Sequence, residues 1–509
     1  MLSLSFRRKI LNILLFAKGY FAKFQIKAGL LIALTALSYG LLINNINLWT
    51  DEIYSVLMAN DSLKDMFYLL STEDSKPPLY YLYLKCVLFF FPKNYEIFGA
   101  HFASYILLLG AQFFAATAIR HDYGDKVALW MIVLILLMPH SLWLAFEART
   151  YMLSALLMLM ALIYGLRLLY TPLTFDFFKF ALSSLAALYS HYYCALWLLF
   201  LYLFLFVGLI RKRNSLVFKK FLGVAFSVAL LFAPWLYIPF HTAAHISKDW
   251  YVTADFVKMS SQFFTNPISG DMVLSFLFPL NVLAVSALSF INFCGVFSLN
   301  KSSAKLYILF RYAFFTLIAT YLCLLLLSTF VRPLVTSRYM LIFSLFWFLS
   351  AAVVLASFPF FQKGFLFLAL IGFGIVYNDT RLSSFDKGYF YLAQDIKQFV
   401  PDDQTILALD NNNLFCEYYL PQYTCLAIVG EKGEILRLPS VLKNIQLYSD
   451  DLPPVVFTLS SYKQLAKNHE CLNYKTTYRI SHGTDLCKIT RDEALPLLHN
   501  SLKLRLNNF

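Results

Sequence analysis

The sequence predicts a mainly α-helical, polytopic membrane protein carrying a small C-terminal α/β domain outside the cytoplasm. Three observations lead there. Of 509 residues, 60% are hydrophobic and only 14% are charged, whereas a soluble globular chain is about 25% charged. Apolar runs near the ~20 residues needed to cross a bilayer recur along most of the chain. After residue 381 the pattern changes to short apolar runs separated by polar stretches. The net charge of +13 does not point to nucleic acid, because Lys and Arg accumulate in the cytoplasmic loops of membrane proteins.

Residues 1–27 carry Arg7, Arg8, Lys9, Lys18, Lys23 and Lys27 and read as a basic amphipathic segment on the cytoplasmic face. No small-residue cleavage site follows a short apolar core, so the first span acts as an uncleaved anchor. Spans are expected near 28–46, 97–119, 127–147, 151–170, 177–190, 192–210, 221–240, 273–297, 306–329, 340–358 and 364–380. Re-entrant pieces included, this amounts to about 11–13 membrane helices. The stretch "RKRNSLVFKK" (211–220) has five basic residues and no acid, which assigns it to the cytoplasm. Counting from it puts 120–126, 171–176 and 298–305 inside. The segments 93–96, 147–150, 190–193, 241–272, 329–339 and everything after 381 fall outside. "PPLYYLYLKCVLFFF" (77–91) is short for a span and contains Lys85, so it dips into the membrane or lies along it.

In the tail, "TILAL", "CLAIV" and "PVVFTL" read as short strands alternating with helices. Cys86, Cys194, Cys294 and Cys323 lie in apolar runs and read as small hydrophobes. Cys416, Cys425, Cys471 and Cys487 all fall in the tail. They suggest two disulfides, with Cys416–Cys425 and Cys471–Cys487 as one pairing among several. The domain organisation is then 1–27 basic N-terminus, 28–380 membrane domain with a first outer loop at 47–78, and 381–509 outer domain.

The polar residues that stand out share the outer face. In "NLWTDEIYSVLMAN" (47–60), Asp51 and Glu52 are either a solvated helix start capped by Thr50 or an acid/base site beside Tyr54. In "STEDSKPPLYYLYLK" (71–85), Lys76 precedes Pro77 and Pro78. It is either a snorkelling lysine at a loop–helix junction or a point charge for phosphate. In "MPHSLWLAFEARTYML" (138–153), Glu147 and Arg149 stand between apolar runs, as an interfacial pair or as a phosphate site to which Tyr151 adds a hydroxyl. His191 and Tyr192 in "LYSHYYCALW" offer an interhelical histidine, a donor, a metal ligand or an acid/base group. Arg332 and Arg338, with Tyr339, lie in a loop of the side where Arg is scarce. An anion anchored in the outer leaflet, such as a lipid phosphate, would meet these cations. A sugar donor on that side is carried by lipid, since no nucleotide-sugar pool exists there.

This order of motifs resembles the C superfamily of glycosyltransferases over roughly residues 28–380. It runs from a first-loop "DE" through "KPPLYY", "EARTYML" and "SHYY" to "SRYM". The nearest branch resembles bacterial protein mannosyltransferases and lipid A aminoarabinose transferases. The resemblance implies an inverting glycosyltransferase of the bacterial inner (plasma) membrane that uses a polyprenyl-phosphate sugar, with a glycan, lipid or protein as acceptor. It implies Asp51 as the catalytic base with Glu52 beside it. Lys76, Arg149, Tyr151, Arg338 and Tyr339 would lie at the donor phosphate, and Tyr54, His191 and Tyr192 would contact acceptor or donor. Ser75 stands where some aminoarabinose transferases have a glutamate implicated in metal binding. A divalent metal is therefore one option rather than an implied cofactor. The competing class is a transporter or flippase of a lipid-linked or anionic envelope precursor.

Overall fold

The computed structural model describes residues 23–43, 47–72, 76–170, 172–242, 278–299, 304–330, 334–335 and 337–382. In the tail it describes 393–394, 396–398, 400, 405–409, 412–428, 455–460, 471–473 and 485–490. Arg332, Ser75 and most of the basic N-terminus lie outside the described residues. The chain divides into two compact units. The first holds 1–43, 104–234 and 251–379; the second holds 44–103, 235–250 and 380–509.

The helical unit opens with α1 (residues 23–40), whose Leu30, Leu34 and Leu37 form an exposed apolar stripe at helical spacing that Leu41 continues just beyond it. Helix α5 (Lys93–Tyr123) is long and apolar enough to span a membrane, and its residues from Ser104 onward belong to this unit. It ends at Gly124, whose φ of +90° suits glycine. Next come α6 (Asp125–Leu137) and α7 (Pro139–Phe146), which meet at a 72° bend. Met138 there is extended and Pro139 opens α7, as expected of a residue before proline and of proline at a helix start.

Helices α8 (Tyr151–Arg167), α9 (Thr174–Leu188), α10 (Tyr193–Lys212) and α11 (Ser215–Thr242) follow. Then come α12 (Phe278–Ser298), α13 (Ala304–Phe330), α14 (Ser344–Ser357) and α15 (Phe360–Leu382). Among the described residues, five helices are long and apolar enough to cross a membrane, or six if the bent pair is one span. Helix α8, at 17 residues, is shorter than a full crossing at 1.5 Å per residue. The chain is a multi-pass membrane protein.

The core of this unit is α14. Every residue from Ser344 to Leu355 is buried, as a helix that is apolar all round must be. It packs against α6, α12 and α13. Close approach depends on Gly295, where an added Cβ would meet Val354 Cγ2 at 2.6 Å and Phe310 Cε2 at 2.7 Å. Polar groups tie the helices together. Asn292 Nδ2 donates to the Trp347 carbonyl at 3.2 Å. Gln112 Nε2 donates to Thr35 Oγ1 at 2.8 Å, and the Tyr39 hydroxyl to the Leu136 carbonyl at 2.9 Å.

One end of the unit closes with ion pairs. Arg167 Nε donates to Asp122 at 2.7 Å, and its Nη1 to Asp176 at 3.3 Å. Arg120 Nε donates to Asp125 at 2.7 Å. Arg120, Asp122 and Asp125 come from 120–126 and Asp176 from 171–176, two segments that loop counting assigns to the same side, and Arg167 ends the helix before the second.

The second unit holds α2 (Thr50–Asn60), α3 (Leu63–Thr72), α4 (Leu79–Leu88) and the start of α5. With them are α16 (Asn412–Tyr419) and a five-stranded sheet of order β2-β1-β3-β5-β4. Helix α3 is capped by Ser62, whose Oγ accepts the Asp65 N–H at 3.1 Å and donates back to the Asp65 carboxylate at 2.7 Å. Helix α4 begins directly after Pro78 and has ten residues, too few to cross a bilayer.

Strands β1 (Thr405–Leu409), β2 (Thr424–Ile428) and β3 (Val455–Ser460) pair in parallel and coincide with the three apolar runs named above. Strand β5 (Asp485–Thr490) pairs antiparallel with both β3 and β4 (Cys471–Asn473). Parallel β1 and β2 require a crossover, and α16 supplies it, packing on both. Cys416 is disulfide-bonded, and Cys471 stands opposite Cys487 in the β4–β5 register. The four cysteines of the apolar runs have free thiols; Cys86 is exposed on α4 rather than buried.

Candidate functional site

In the second unit, α2 carries the acid pair and is fastened at both ends. Its N-terminal lead is held where the Tyr419 hydroxyl donates to the Leu48 carbonyl at 3.1 Å and accepts the Leu48 N–H at 3.2 Å. The expected Thr50 cap does not form, because Thr50 is already the first helical residue. Instead Glu52 Oε2 accepts the Trp49 N–H at 3.1 Å. A carboxylate three residues into a helix reaches back to the orphan donor more readily than a side chain already inside the turn. At the other end Lys85 Nζ donates to the carbonyls of Ala59 at 2.9 Å and Asp61 at 2.6 Å. A cation there meets the negative pole of the helix. This explains a lysine in an apolar segment: Lys85 is a helix cap. Asn60 Nδ2 donates to Glu96 Oε1 at 2.7 Å, anchoring the end of α2 to α5.

The two acids have different surroundings. Glu52 is 2% exposed, and its Oε1 lies 3.6 Å from Nδ1 of His101, which is wholly buried. Asp51 is half-buried. Tyr54 lies three residues on from Asp51 and so on the same helical face. Lys76 Nζ sits 4.9 Å from the centroid of the Tyr54 ring, a cation–π contact, and Tyr81 meets that ring edge-on at 6.4 Å. The structure therefore brings Lys76 to the Asp51 face of α2. Beyond the helix, burial raises the Asp61 carboxyl; Asp65 raises it further and Lys85 opposes both. Burial, and then Glu96, push the Tyr418 phenol up.

In the helical unit, the end remote from the Arg167 ion pairs gathers the other candidates. Helix α7 stops at Phe146, Glu147 is extended, and the Arg149 N–H returns to the Glu147 carbonyl at 2.7 Å. Glu147 is 4% exposed and Arg149 6%. Ser104 Oγ donates to the Glu147 carbonyl. Thr150 Oγ1 donates to the Ser190 carbonyl at 2.7 Å, and Ser154 and Ser190 share a hydroxyl bond of 2.8 Å. These bonds lock the segment before α8 to the link between α9 and α10.

Four rings assemble beside it. Tyr339 lies 6.3 Å from Tyr151, 5.8 Å from His191 and 5.5 Å from Tyr193, centroid to centroid. His191 lies 4.9 Å from Tyr193. His191 Nδ1 accepts the Tyr193 N–H at 3.1 Å, so in the neutral ring the proton is on Nε2. The Tyr193 hydroxyl donates to the Leu334 carbonyl. Arg338 is exposed on the turn Ser337–Met340 that carries Tyr339. Tyr192 stands at the N-cap of α10, half-buried, and Tyr193 joins the ring cluster. His101 and Tyr193 were not among the sequence candidates. The sole hint for Tyr193 was its place next to Tyr192, and His101 sits in an apolar run that reads as core.

The acid pair thus stands on a helix pinned at both termini. The arginine and tyrosines at the end of the other unit can donate several hydrogen bonds to an anion. Among the described residues no group of three or more His, Cys, Asp and Glu side chains gathers closely enough to hold a metal ion.

No family model matches the sequence, and no curated protein matches it. Solved structures do. ArnT from Cupriavidus metallidurans bound to undecaprenyl phosphate aligns with a TM-score of 0.58 at 13% identity, covering 91% of this chain and 98% of that one. Its apo state aligns with a TM-score of 0.57 at 12% identity, covering 93% and 98%. At such identities the likeness is one of fold, and it extends over nearly the whole of both chains. The chain has the fold of these ArnT structures.

Proposed function

We propose that the chain is an integral-membrane glycosyltransferase that moves a sugar from a polyprenyl-phosphate donor to an acceptor on the outer, periplasmic face of the inner membrane, with inversion. The observation that carries this reading is Asp51. It is a half-buried carboxylate on a helix fixed at both ends, sharing a face with Tyr54 and Lys76. Its chain has the fold of a protein crystallised with undecaprenyl phosphate. The disulfide at Cys416 supports a tail outside the cytoplasm, where such bonds persist.

In this reading the acceptor oxygen attacks the anomeric carbon from the face opposite the phosphate. As that bond forms, the bond from the anomeric carbon to the phosphate oxygen breaks, and the electron pair leaves with the polyprenyl phosphate. The acceptor proton passes to Asp51. A carboxylate base of this kind contributes roughly 10²–10⁴-fold. Glu52 fixes the first turn of α2 and so the position of Asp51. Lys76, Arg149, Tyr151, Arg338 and Tyr339 neutralise the charge that grows on the leaving phosphate, with Arg149 supplying a planar fork. Tyr54, His191 and Tyr192 contact sugar or acceptor, as aromatic faces suit sugar rings and prenyl chains. The negative charge of the phosphate is met by Lys and Arg.

The test uses purified protein, a panel of radiolabelled polyprenyl-phosphate sugars and membrane-extract acceptors. Wild type should consume at least one donor, and Asp51→Asn should do so at least about 10²-fold more slowly. The reading fails if no donor is consumed, or if the variant keeps pace with wild type.

A further inference from the structure

At the ion-paired end of the helical unit, two lysines converge on one aromatic floor. Lys305 Nζ, at the start of α13, lies 5.4 Å from the Tyr170 ring centroid and 5.3 Å from that of Tyr123. Lys212 Nζ, in the last turn of α10, lies 5.7 Å from the same Tyr170 ring. Both lysines are exposed, Tyr123 is buried and Tyr170 half-buried. Two like charges on one ring repel each other, and the ring quadrupole offsets this only in part.

The nearby carboxylates do not help. Asp122 and Asp176 are engaged by Arg167, and Asp125 by Arg120. Neither lysine has a carboxylate partner among the described residues. The Tyr170 hydroxyl is buried and makes no hydrogen bond there. Just along the chain, Arg211, Arg213, Lys219 and Lys220 add positive charge, with Lys220 Nζ 5.8 Å from the Phe177 ring. The cluster lies at the ends of α10 and α13, two helices long and apolar enough to cross a membrane, which is where lipid headgroups would meet them.

We propose that Lys212, Lys305 and Tyr170 form a phosphate-binding site for the headgroup of an anionic membrane phospholipid. One phosphate oxygen lies between the two ammonium groups. A headgroup that parts them reaches the Tyr170 hydroxyl, which then donates. The aromatic floor holds the ammonium groups in place and limits the entropy lost when the headgroup binds. The site is independent of the sugar-transfer reading and lies at the opposite end of the unit from Arg149.

The experiment reconstitutes the full chain in nanodiscs of phosphatidylcholine with or without phosphatidylglycerol. Lipid retained after gentle detergent extraction is counted by native mass spectrometry, and thermal midpoints are compared. Wild type should retain phosphatidylglycerol selectively and melt higher in its presence. Lys212→Gln/Lys305→Gln should bind it roughly 30-fold more weakly, about fivefold for each lysine. The control Lys126→Gln, at a surface lysine outside the cluster, should behave as wild type. A separate arm adds inorganic phosphate to phosphatidylcholine discs. A midpoint shift that the double variant abolishes would assign the site to a soluble phosphate instead of a lipid. Should the double variant retain phosphatidylglycerol as wild type does, the proposal is overturned. Lys212→Arg/Lys305→Arg, which keeps the charges, should restore retention and separates a lost site from a damaged fold.

Discussion

The two ends of the helical unit place charge in different settings. At one end Arg167 and Arg120 meet three aspartates in direct bonds of 2.7–3.3 Å, and these bonds fasten the helix ends to one another. At the other, Glu147 and Arg149 are drawn to 4% and 6% exposure beside tyrosines, a histidine and hydroxyls. Ion pairs between neighbouring helix ends are ordinary membrane architecture. Burying an arginine at a helix break is expensive. The contrast is between charges that close helix ends and charges buried at a helix break.

Three substitutions would break or sharpen it. The largest effect is expected from Arg149→Lys. It keeps the charge but loses the planar fork, so kcat/KM for the lipid donor should fall by about 10²-fold with the thermal midpoint nearly unchanged. An equal fall for Arg167→Lys would erase the distinction. Next is Arg167→Ala, which removes two charged hydrogen bonds at a partly exposed site and should destabilise by about 1–2 kcal/mol. Turnover per folded molecule should hold, as read by thermal unfolding alongside donor consumption. A fall in turnover at constant stability would mean the ion-paired end also serves the reaction.

The smallest effect carries the same distinction to the second unit. Asp61 has a raised carboxyl, chiefly from burial and then from Asp65. A raised carboxyl favours the protonated form in the folded state. The stability it contributes is therefore fully present below the ordinary carboxylate range and is lost as pH rises through the raised pKa. Asp61→Asn should flatten that loss in a pH series of thermal midpoints while leaving turnover intact. A steeper loss would show that the ionised form is the one the fold prefers.

Much of the architecture was legible in the residues. The predicted run 192–210 became α10 (Tyr193–Lys212) and 306–329 became α13 (Ala304–Phe330), because a long apolar run has one way to satisfy its backbone in lipid. "TILAL", "CLAIV" and "PVVFTL" became β1, β2 and β3. The bend before Pro139 followed from proline itself. Lys85 and Glu52 were visible as anomalies but not as helix caps. A cap depends on which carbonyl or N–H a long side chain can reach, and that is set by packing. Tyr193 meets His191 and Tyr339, and which ring of a run of tyrosines faces a cluster turns with the helix start, since each residue rotates a side chain by about 100°.

The sequence by itself determined that this chain lives in a membrane, where most of its helices run and that its tail is α/β. Each of these rests on local composition or on a period read along the chain. Tertiary structure alone decided that Asp51 and Glu52, neighbours in sequence, have different surroundings. It also decided that His101 sits by Glu52, and that Lys212 and Lys305, 93 positions apart in numbering, share a ring. Those outcomes depend on which faces of distant helices meet. Burial, ring contacts and helix caps are properties of that meeting, and no single segment carries them.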